Sequence, residues 1–455
     1  MAKLQACALT IAGSDSGAGA GVQADLKTFS ALGVYGTTVI TALTAQNTQG
    51  VKEIFPLPAS FVKRQIEAIM DDIKIEVAKT GMLYSSEIMQ VVAEAAEKYG
   101  LRLVVDPVFR AGSGDLLIKE ENKETLIRLL IPKAHIVIPN RFEAEDIAGM
   151  KIENLDEMKK AAEKIAELGV KAVIIKGGHL DEKSKTVTDI LYHNGEFRIF
   201  TKPRVDVKPH GGGCSFSSAI AAYLAYGNSI SQAVEKAEKF IGEALKFALK
   251  VGRGRAPVNP MATLYNEAEK FRVLEDVYAA AKMIEESSEL LLPYAAEVGT
   301  QVAMALSYAS NKWHVAAVEG RIVKVGSKLR RVGCVRFGAS NHLARIILTA
   351  MKYDSSMRAA LNLHYSPELV EAFRKAEFTV SSFDRKQEPI EQKIIEGKTL
   401  SWGTEQAIKK LGKVPDIIYD LGEPGKEAMI RVLDKSATKT VEKTLAAIKS
   451  LQNPS

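Results

Sequence analysis

The stretch Lys208-Pro-His-Gly-Gly-Gly-Cys-Ser-Phe-Ser-Ser218 decides how the first half of this chain reads. Three glycines stand before an apolar run, Ser215 to Leu224, whose composition predicts a buried helix. Glycine lets a backbone turn sharply and leaves its N–H groups bare, and a helix start adds partial positive charge. Gly211, Gly212 and Gly213 therefore predict a hole for an anion, best filled by a phosphate in transfer. Cys214 sits at its mouth, where a helix N-terminus lowers a thiol's pKa and suits it to serve as a base. The plain alternative is a tight turn capping a core helix, and the rest of the chain has to decide.

Upstream of that stretch, strand-like and helix-like patterns alternate. Ala6–Ile11, Thr37–Leu43, Leu103–Val105, Ile136–Ile138 and Ala172–Ile175 are short apolar or β-branched runs. Val22–Leu32, Phe61–Met70, Glu87–Tyr99, Glu124–Leu130 and Leu155–Leu168 carry helical spacing. Repeated β-α alternation predicts an α/β fold with a mainly parallel sheet covered by helices on both faces. Ligands of such sheets bind at the carboxyl ends of strands. Polar groups follow each strand: Gly13 to Gly21 with Asp25 beyond, Gln46-Asn47, Asp106-Pro107-Val108, Asn140-Arg-Phe-Glu143 and Lys176-Gly-Gly-His179. One such group is an ordinary cap. Five in register, with the anion hole closing the domain, predict a site.

The length of 455 residues implies two domains or three. A hydrophobic share of 46% with 25% charged residues is that of a globular protein with ample core. A net charge of +6 is mild for this length and fits anionic small molecules. Cys7, Cys214 and Cys334 are too far apart to suggest a metal pair or disulfide framework, so a reducing cytoplasm is expected. No signal peptide and no run of about 18 apolar residues is evident, so no membrane role is expected.

Ala12–Asp25, Thr41–Thr48, Lys79–Leu83, Asn140–Glu143, Lys176–Leu180 and His210–Ser218 together resemble the hydroxymethylpyrimidine and phosphomethylpyrimidine kinases of the ribokinase-like superfamily. The resemblance covers residues 1–255. It implies two successive ATP-dependent phosphorylations of 4-amino-5-hydroxymethyl-2-methylpyrimidine. It further implies that Gln46 holds the pyrimidine edge and that Asp25, Met82 and Val108 line that pocket. Asn140 and Glu143 would organise Mg²⁺ near the phosphates, Lys176 would lie near the nucleotide, and Cys214 would be the base. The residue types suit the chemistry. A Gln amide offers both a donor and an acceptor to an uncharged pyrimidine. Phosphoryl transfer needs positive charge and alignment more than covalent help. The family usually has threonine where Gly212 stands, so altered nucleotide affinity is expected.

Val251-Gly-Arg-Gly-Arg-Ala-Pro-Val-Asn-Pro260, after a helix expected at Ser231–Leu249, reads as a boundary. A linker at 256–270 and a second domain at 271–455 are expected. Leu264–Leu291 reads as helix with a break near Ala268–Val273, and His314–Val318 and Arg321–Val325 as strands about a Glu319-Gly320 turn. Seven basic residues and no acidic ones lie between Arg321 and Arg345. Gly338 to Asn341 predicts a loop delivering a helix start, with His342 and Arg345 on one face. Such a start suits a diphosphate. A solvated basic surface with a core histidine is the alternative, and nucleic acid is disfavoured by the absence of a helix-turn-helix or RNA-binding motif.

Glu297-Val-Gly299, Phe337–Arg345, Arg358–Asn362, Val380–Arg385, Trp402-Gly-Thr404 and Pro415–Glu427, read as strand ends and turns, resemble the archaeal-type thiamine-phosphate synthase domain. That resemblance implies joining of the pyrimidine diphosphate to a thiazole phosphate. It makes Arg321 and His342 the catalytic positions, Arg345 and Lys426 phosphate contacts, and Ser381, Ser382 and Asp384 further contacts to substrate or metal. The two halves resemble the fused enzyme of thiamine synthesis, and a homodimer is expected by analogy with ribokinase-like enzymes. The competing readings are a thiamine-phosphate sensor for the second half and a pyridoxal-type kinase for the first.

Overall fold

Buried residues on neighbouring strands alternate strictly between two apolar layers. Leu9, Ile11, Leu103, Val105, Val137, Val173 and Ile175 face one layer, and Ala8, Val104, Ile136 and Ile174 face the other. A strand buried on both faces must have helices on both sides, which is why these runs are continuously apolar. A computed structural model describes residues 6–109, 117–118, 120–389, 391 and 398–452, and the chain forms two compact units, Met1–Thr263 and Leu264–Ser455.

Among the described residues the main sheet of the first unit has nine strands: β1 (Cys7–Asp15), β2 (Tyr35–Asn47), β3 (Gly50–Pro56), β4 (Val77–Thr80), β5 (Arg102–Val105), β6 (Ala134–Val137), β7 (Ala172–Ile175), β8 (Thr186–His193) and β9 (Glu196–Pro203). Their order is β3-β2-β1-β4-β5-β6-β7-β8-β9. The six from β2 to β7 run parallel, and β3, β8 and β9 add antiparallel edges. Helices Ala59–Met70, Ser86–Tyr99 and Leu155–Ala166 cover one face through Val62, Ile66, Ile88, Val92, Met158 and Ile165. Helices Gly21–Ala31, Gly212–Ala225 and Ile230–Lys246 cover the other through Phe29, Phe216, Ile220, Val234 and Ile241.

Several expectations change here. The second strand runs on to Asn47, so Gln46 and Asn47 are its last residues, not followers, and the register shifts between Ala45 and Gln46. Such a bulge re-aims a side chain next to a site. The glycine-led helix begins at Gly212, three residues before the expected Ser215, which places Cys214 in its first turn. Residues after Val251 are tied into the first unit. Two short strands, β10 (Pro209–His210) and β11 (Ala256–Pro257), pair in parallel, and Arg255 N–H donates to the Thr48 carbonyl at 2.8 Å.

The second unit carries β12 (Gln301–Ala305), β13 (Val315–Val318), β14 (Ile322–Val325), β15 (Lys328–Arg331), β16 (Val335–Phe337), β17 (Ala359–His364), β18 (Val380–Ser382), β19 (Ile417–Asp420) and β20 (Met429–Asp434). Seven form one sheet in the order β16-β13-β12-β17-β20-β19-β18, antiparallel except for the β18–β19 pair. The two remaining strands, β14 and β15, form a separate two-stranded sheet, so β13 and β14 belong to different sheets across the Glu319-Gly320 turn, with an isolated bridge from Ile322 to Thr300. Helix Ala262–Glu286 runs unbroken past Ala268–Val273 and yields to a second helix, Ser288–Leu291, at Ser287. Trp402-Gly-Thr404, expected at a strand end or turn, lies inside helix Lys398–Leu411, where Trp402 packs edge-on against Phe383 at 87°.

Gly177 joins β7 to β8 at the site end of the sheet. Its N–H donates to Asp189 Oδ1 at 2.7 Å, and a Cβ there would lie 1.9 Å from the Thr188 carbonyl oxygen. Backbone cannot yield that distance cheaply. Gly177→Ala should destabilise the first unit by about 1–3 kcal/mol, read as a lowered urea midpoint.

Candidate active sites

The carboxyl ends of the parallel strands open into a cavity of about 320 Å³. Gln46, Met82, Val108 and Leu117 line one part, and Gly211, Gly212, Gly213, Cys214, Lys176, Asn140 and Glu143 line another. Met82 and Leu117 pack with Ala42, and Val108 flanks them, making this an apolar slot with one amide in it. Gly211 has φ +74, and a Cβ on it would fall 1.8 Å from the Gly19 carbonyl oxygen. Only glycine lets the two loops touch there.

Asp15 organises the first of those loops. Its Oδ1 accepts from Gly17 N–H at 2.8 Å, and its Oδ2 from Gly19 and Ala20 N–H at 3.0 and 2.8 Å. His210 Nε2 lies 3.0 Å from the same Oδ2. Although burial works the other way, His210 and these N–H groups hold the Asp15 carboxyl below its usual range. Asp15 and His210 both line the cavity, and the sequence reading gave neither a role.

Asp25 does not line the pocket as expected. It is fully buried behind it, accepting from Thr10 Oγ1 at 2.6 Å, Ser218 Oγ at 2.7 Å and Lys79 Nζ at 2.9 and 3.0 Å. With every lone pair engaged, it has none for a substrate. Burial works against the Lys79 ammonium, but Asp25 holds its pKa above the ordinary lysine value. Cys214 faces the cavity, yet its thiol is not acidified. Burial pushes it up to about 11; Lys79 opposes, while Asp25 and Asp106 add to the rise. Desolvation outweighs the helix start invoked for a lowered value.

On the other side, Lys176 Nζ lies 3.0 Å from Asp106 Oδ1, and Ser217 Oγ donates to Asp106 Oδ2 at 3.3 Å. Asn140 caps helix Arg141–Ala148: its Oδ1 accepts from Glu143 N–H at 3.1 Å while Glu143 Oε2 accepts from Asn140 N–H at 2.8 Å. One lone pair of the Asn140 oxygen is thus occupied, and the residue still lines the cavity. Burial pushes the Glu143 carboxyl up to about 7, with Lys176 pulling down and Asp106 pushing up.

In the second unit, His342 stands in the first turn of helix Asn341–Ala350, capped by Ser340. Its Nε2 is buried with no partner among the described residues. Burial holds its pKa down to about 3, and the charges of Arg431, Arg321 and Arg385 act the same way against Asp420. Arg321 has φ +71, a strained value for a non-glycine residue. Its NH1 donates to Val298 O at 2.6 Å, and Glu427 braces that loop by accepting from Glu297 N–H at 2.9 Å.

Asp420 takes the buried Arg385 Nε at 2.6 Å and also accepts from Arg431 NH1, while the Nε and NH2 of fully buried Arg431 lack partners among the described residues. Arg385, Asp420 and Arg431 were given no individual role by the sequence reading, because β18, β19 and β20 bring them together from distant segments. Arg345 is half-buried on the His342 helix, and Lys426 is exposed in the turn after β19. Ser381 Oγ is committed to the Ala407 carbonyl at 2.8 Å, Ser382 Oγ accepts from Lys410 at 3.4 Å, and exposed Asp384 accepts from Lys386 N–H at 2.9 Å.

The first unit has the architecture of ribokinase-like small-molecule kinases. Pyridoxal kinase from Staphylococcus aureus in complex with pyridoxal is similar at a TM-score of 0.54 and 38% identity, over 57% of this chain and 95% of that one. An ADP complex of Bacillus subtilis pyridoxal kinase gives 0.53 and 34% over 57% and 99%. Residues 15–259 match the phosphomethylpyrimidine kinase family, and residues 276–446 match thiamine-phosphate synthase ThiN. Hydroxymethylpyrimidine/phosphomethylpyrimidine kinase of Bacillus subtilis is 45% identical over 267 residues, 58% of this chain and 98% of that protein. The bifunctional thiamine biosynthesis protein ThiDN of Methanocaldococcus jannaschii is 35% identical over 439 residues, 96% of each chain. The chain therefore belongs to the bifunctional ThiDN family and is an enzyme of thiamine biosynthesis, a kinase joined to a thiamine-phosphate synthase.

Two outcomes test the second site. Asp420→Ala strands two buried guanidinium charges and should cost about 3–5 kcal/mol, measured by denaturant unfolding. His342 is neutral when folded until about pH 3, whereas an unfolded histidine protonates near 6.5. Its contribution to stability is therefore complete above about 6.5 and is lost as pH falls towards 3. His342→Gln should unfold with a weaker pH dependence than the parent across that window.

Proposed function

We propose that the cavity of the first unit phosphorylates 4-amino-5-hydroxymethyl-2-methylpyrimidine twice, and that the second unit condenses the diphosphate with thiazole phosphate, giving thiamine phosphate and releasing diphosphate. One observation carries the kinase half: a single cavity is lined by Gln46, Met82 and Val108 and also by Gly211–Gly213, Cys214 and Lys176. The pyrimidine lies in the apolar slot with its edge on Gln46, so its arm reaches the anion hole. The bare N–H groups at the helix start hold the transferring phosphoryl group, and the Lys176 ammonium steadies charge on the nucleotide. ATP is the donor, in keeping with relatives solved with ADP and AMP-PCP.

In the first step the alcohol proton passes to the thiolate form of Cys214, a small fraction at neutral pH that the Lys79 charge favours, as the new O–P bond forms and the O–P bond to the departing ADP breaks. The second acceptor is a phosphate, already ionised, with no proton to lose. The carboxylates of Asp106 and Glu143, which line the cavity together, suit Mg²⁺, a hard cation that takes one or two carboxylates with substrate phosphates. Bound there it would neutralise phosphate charge.

For the condensation, leaving-group assistance dominates, because the pyrimidine amino group stabilises a cationic methylene. Arg321 is suited to the departing diphosphate oxygens, buried Arg431, whose Nε and NH2 lack partners among the described residues, adds positive charge from the interior, and neutral His342 is suited to a hydrogen bond without added charge. Cytoplasmic location and a homodimer complete the reading. Location is supported by three cysteines without a disulfide, and the dimer only by analogy with ribokinase-like enzymes.

Cys214→Ala should slow phosphorylation of the alcohol far more than that of its phosphate, in steady-state assays of each step. Because the thiol titrates near 11, the parent's alcohol step should quicken about tenfold per pH unit from 7 towards 10, while the phosphate step stays flat. Equal losses in both steps would remove Cys214 from the base role. A Cβ at Gly212 would meet nothing closer than 3.9 Å, so Gly212→Thr fits and restores a hydroxyl beside the phosphates. It should lower the KM for ATP about tenfold, the value of one charge-assisted hydrogen bond.

A further inference from the structure

We propose that His210, held by Asp15, determines the substrate specificity of the kinase site by fixing which end of the Gln46 amide carries the oxygen. The inference rests on the reading that Gln46 meets the pyrimidine edge.

Donor and acceptor accounting leads there. Asp15 is a carboxylate and can only accept, so His210 Nε2, 3.0 Å from its Oδ2, must carry a hydrogen. The same Nε2 lies 3.4 Å from the Gln46 side-chain amide. A protonated ring nitrogen has no lone pair to offer an amide NH₂, so the end of the amide facing Nε2 has to be its oxygen, which shares at longer range the hydrogen given chiefly to Asp15. The opposite end gives an independent answer. Thr44 Oγ1 has one hydrogen and lies 2.9 Å from the Ser14 carbonyl, which only accepts. The hydroxyl therefore turns a lone pair to the Gln46 amide, 3.2 Å away. That end has to be the NH₂. Both neighbours select the same sense, reached by a half-turn about the last side-chain bond that leaves the shape unchanged.

The surroundings hold this arrangement still. Ser16 Oγ accepts from Gln46 N–H at 2.9 Å and donates to Gln46 O at 2.8 Å, clamping the residue's backbone. His210 lies on β10, paired with β11, and packs so closely on Gly19 that a Cβ there would sit 2.2 Å from its Cδ2. His210 is thus a positioning residue acting through Gln46.

The amide then offers the substrate one remaining oxygen lone pair and one N–H in a fixed order. A 4-aminopyrimidine presents an amine donor beside a ring-nitrogen acceptor, which matches. The 4-oxo analogue presents an acceptor beside an N–H donor, which does not. With the amide free to turn, the oxo edge is accepted too. The amino edge could then also bind with its ring turned over, swinging the hydroxymethyl arm away from the anion hole.

The test measures kcat/KM of the first phosphorylation for the 4-amino compound and its 4-oxo analogue, using the full-length enzyme. His210→Ala and Thr44→Val should each reduce the amino-to-oxo preference by at least about tenfold, since an unpaired polar group no longer rejects the wrong edge. His210→Gln should keep the preference, because its amide can donate to both Asp15 and Gln46. Preferences within about twofold of the parent in both His210→Ala and Thr44→Val would overturn the inference, as would an equal loss in His210→Gln. Thr44→Val, a near-isostere, carries the test alone if His210→Ala does not fold. A parent enzyme that phosphorylates neither compound would instead overturn the reading of Gln46 as the pyrimidine contact.

Discussion

The buried ion pair between Lys79 and Asp25 is the constraint on which the kinase unit rests. Both side chains are fully buried, on β4 and on helix Gly21–Ala31, and Ser218 adds a hydrogen bond from the glycine-led helix. Two charges removed from water demand good geometry and leave little freedom to the elements that carry them. The pair therefore fixes three elements directly beneath the cavity floor. It also sets the electrostatics there, since Lys79 favours the Cys214 thiolate that burial disfavours. A base at this site must work against desolvation.

The synthase unit repeats the device with the sign reversed. Asp420 is the buried anion, and Arg385 and Arg431 are the cations that close on it. Two cations for one anion leave surplus positive charge, and that surplus adds to burial, the larger cause, in keeping His342 neutral. An uncharged imidazole beside several guanidinium groups can bond to an anionic leaving group without gaining a proton from solvent. In the kinase unit the buried charges of Lys79 and Asp25 match one to one, whereas the synthase unit keeps a surplus of positive charge.

Readings from the chain were most secure where local rules suffice. The short buried strands at 102–105, 134–137 and 172–175 and the helices between them follow from apolar runs and helical spacing. The hairpin of β8 and β9 was missed although Asn194-Gly195, with φ +52 and +77, is a familiar signal for a tight hairpin turn. The extension of β2 to Asn47 was missed because its edge partner β3 buries none of its residues and so shows no apolar alternation. Trp402-Gly-Thr404 looked like a turn because glycine is a poor helix former, and packing of Trp402 against Phe383 outweighs that preference.

What the amino-acid sequence determined by itself was the β-α alternation of the first unit and which of its strand ends carry polar groups. Gln46, Asp106, Asn140, Lys176 and the 211–214 segment were all identified in this way, because strand period and glycine placement are local properties. Only the tertiary structure decided which of those groups face a ligand. Asp25 turned out to be spent on Lys79, and the Cys214 thiol to be desolvated rather than acidified. Asp15 with His210, and Asp420 with its two arginines, meet across 195, 35 and 11 residues of chain. Charge and hydrogen bonding act through space, and no spacing along the chain records who will be within 3 Å of whom.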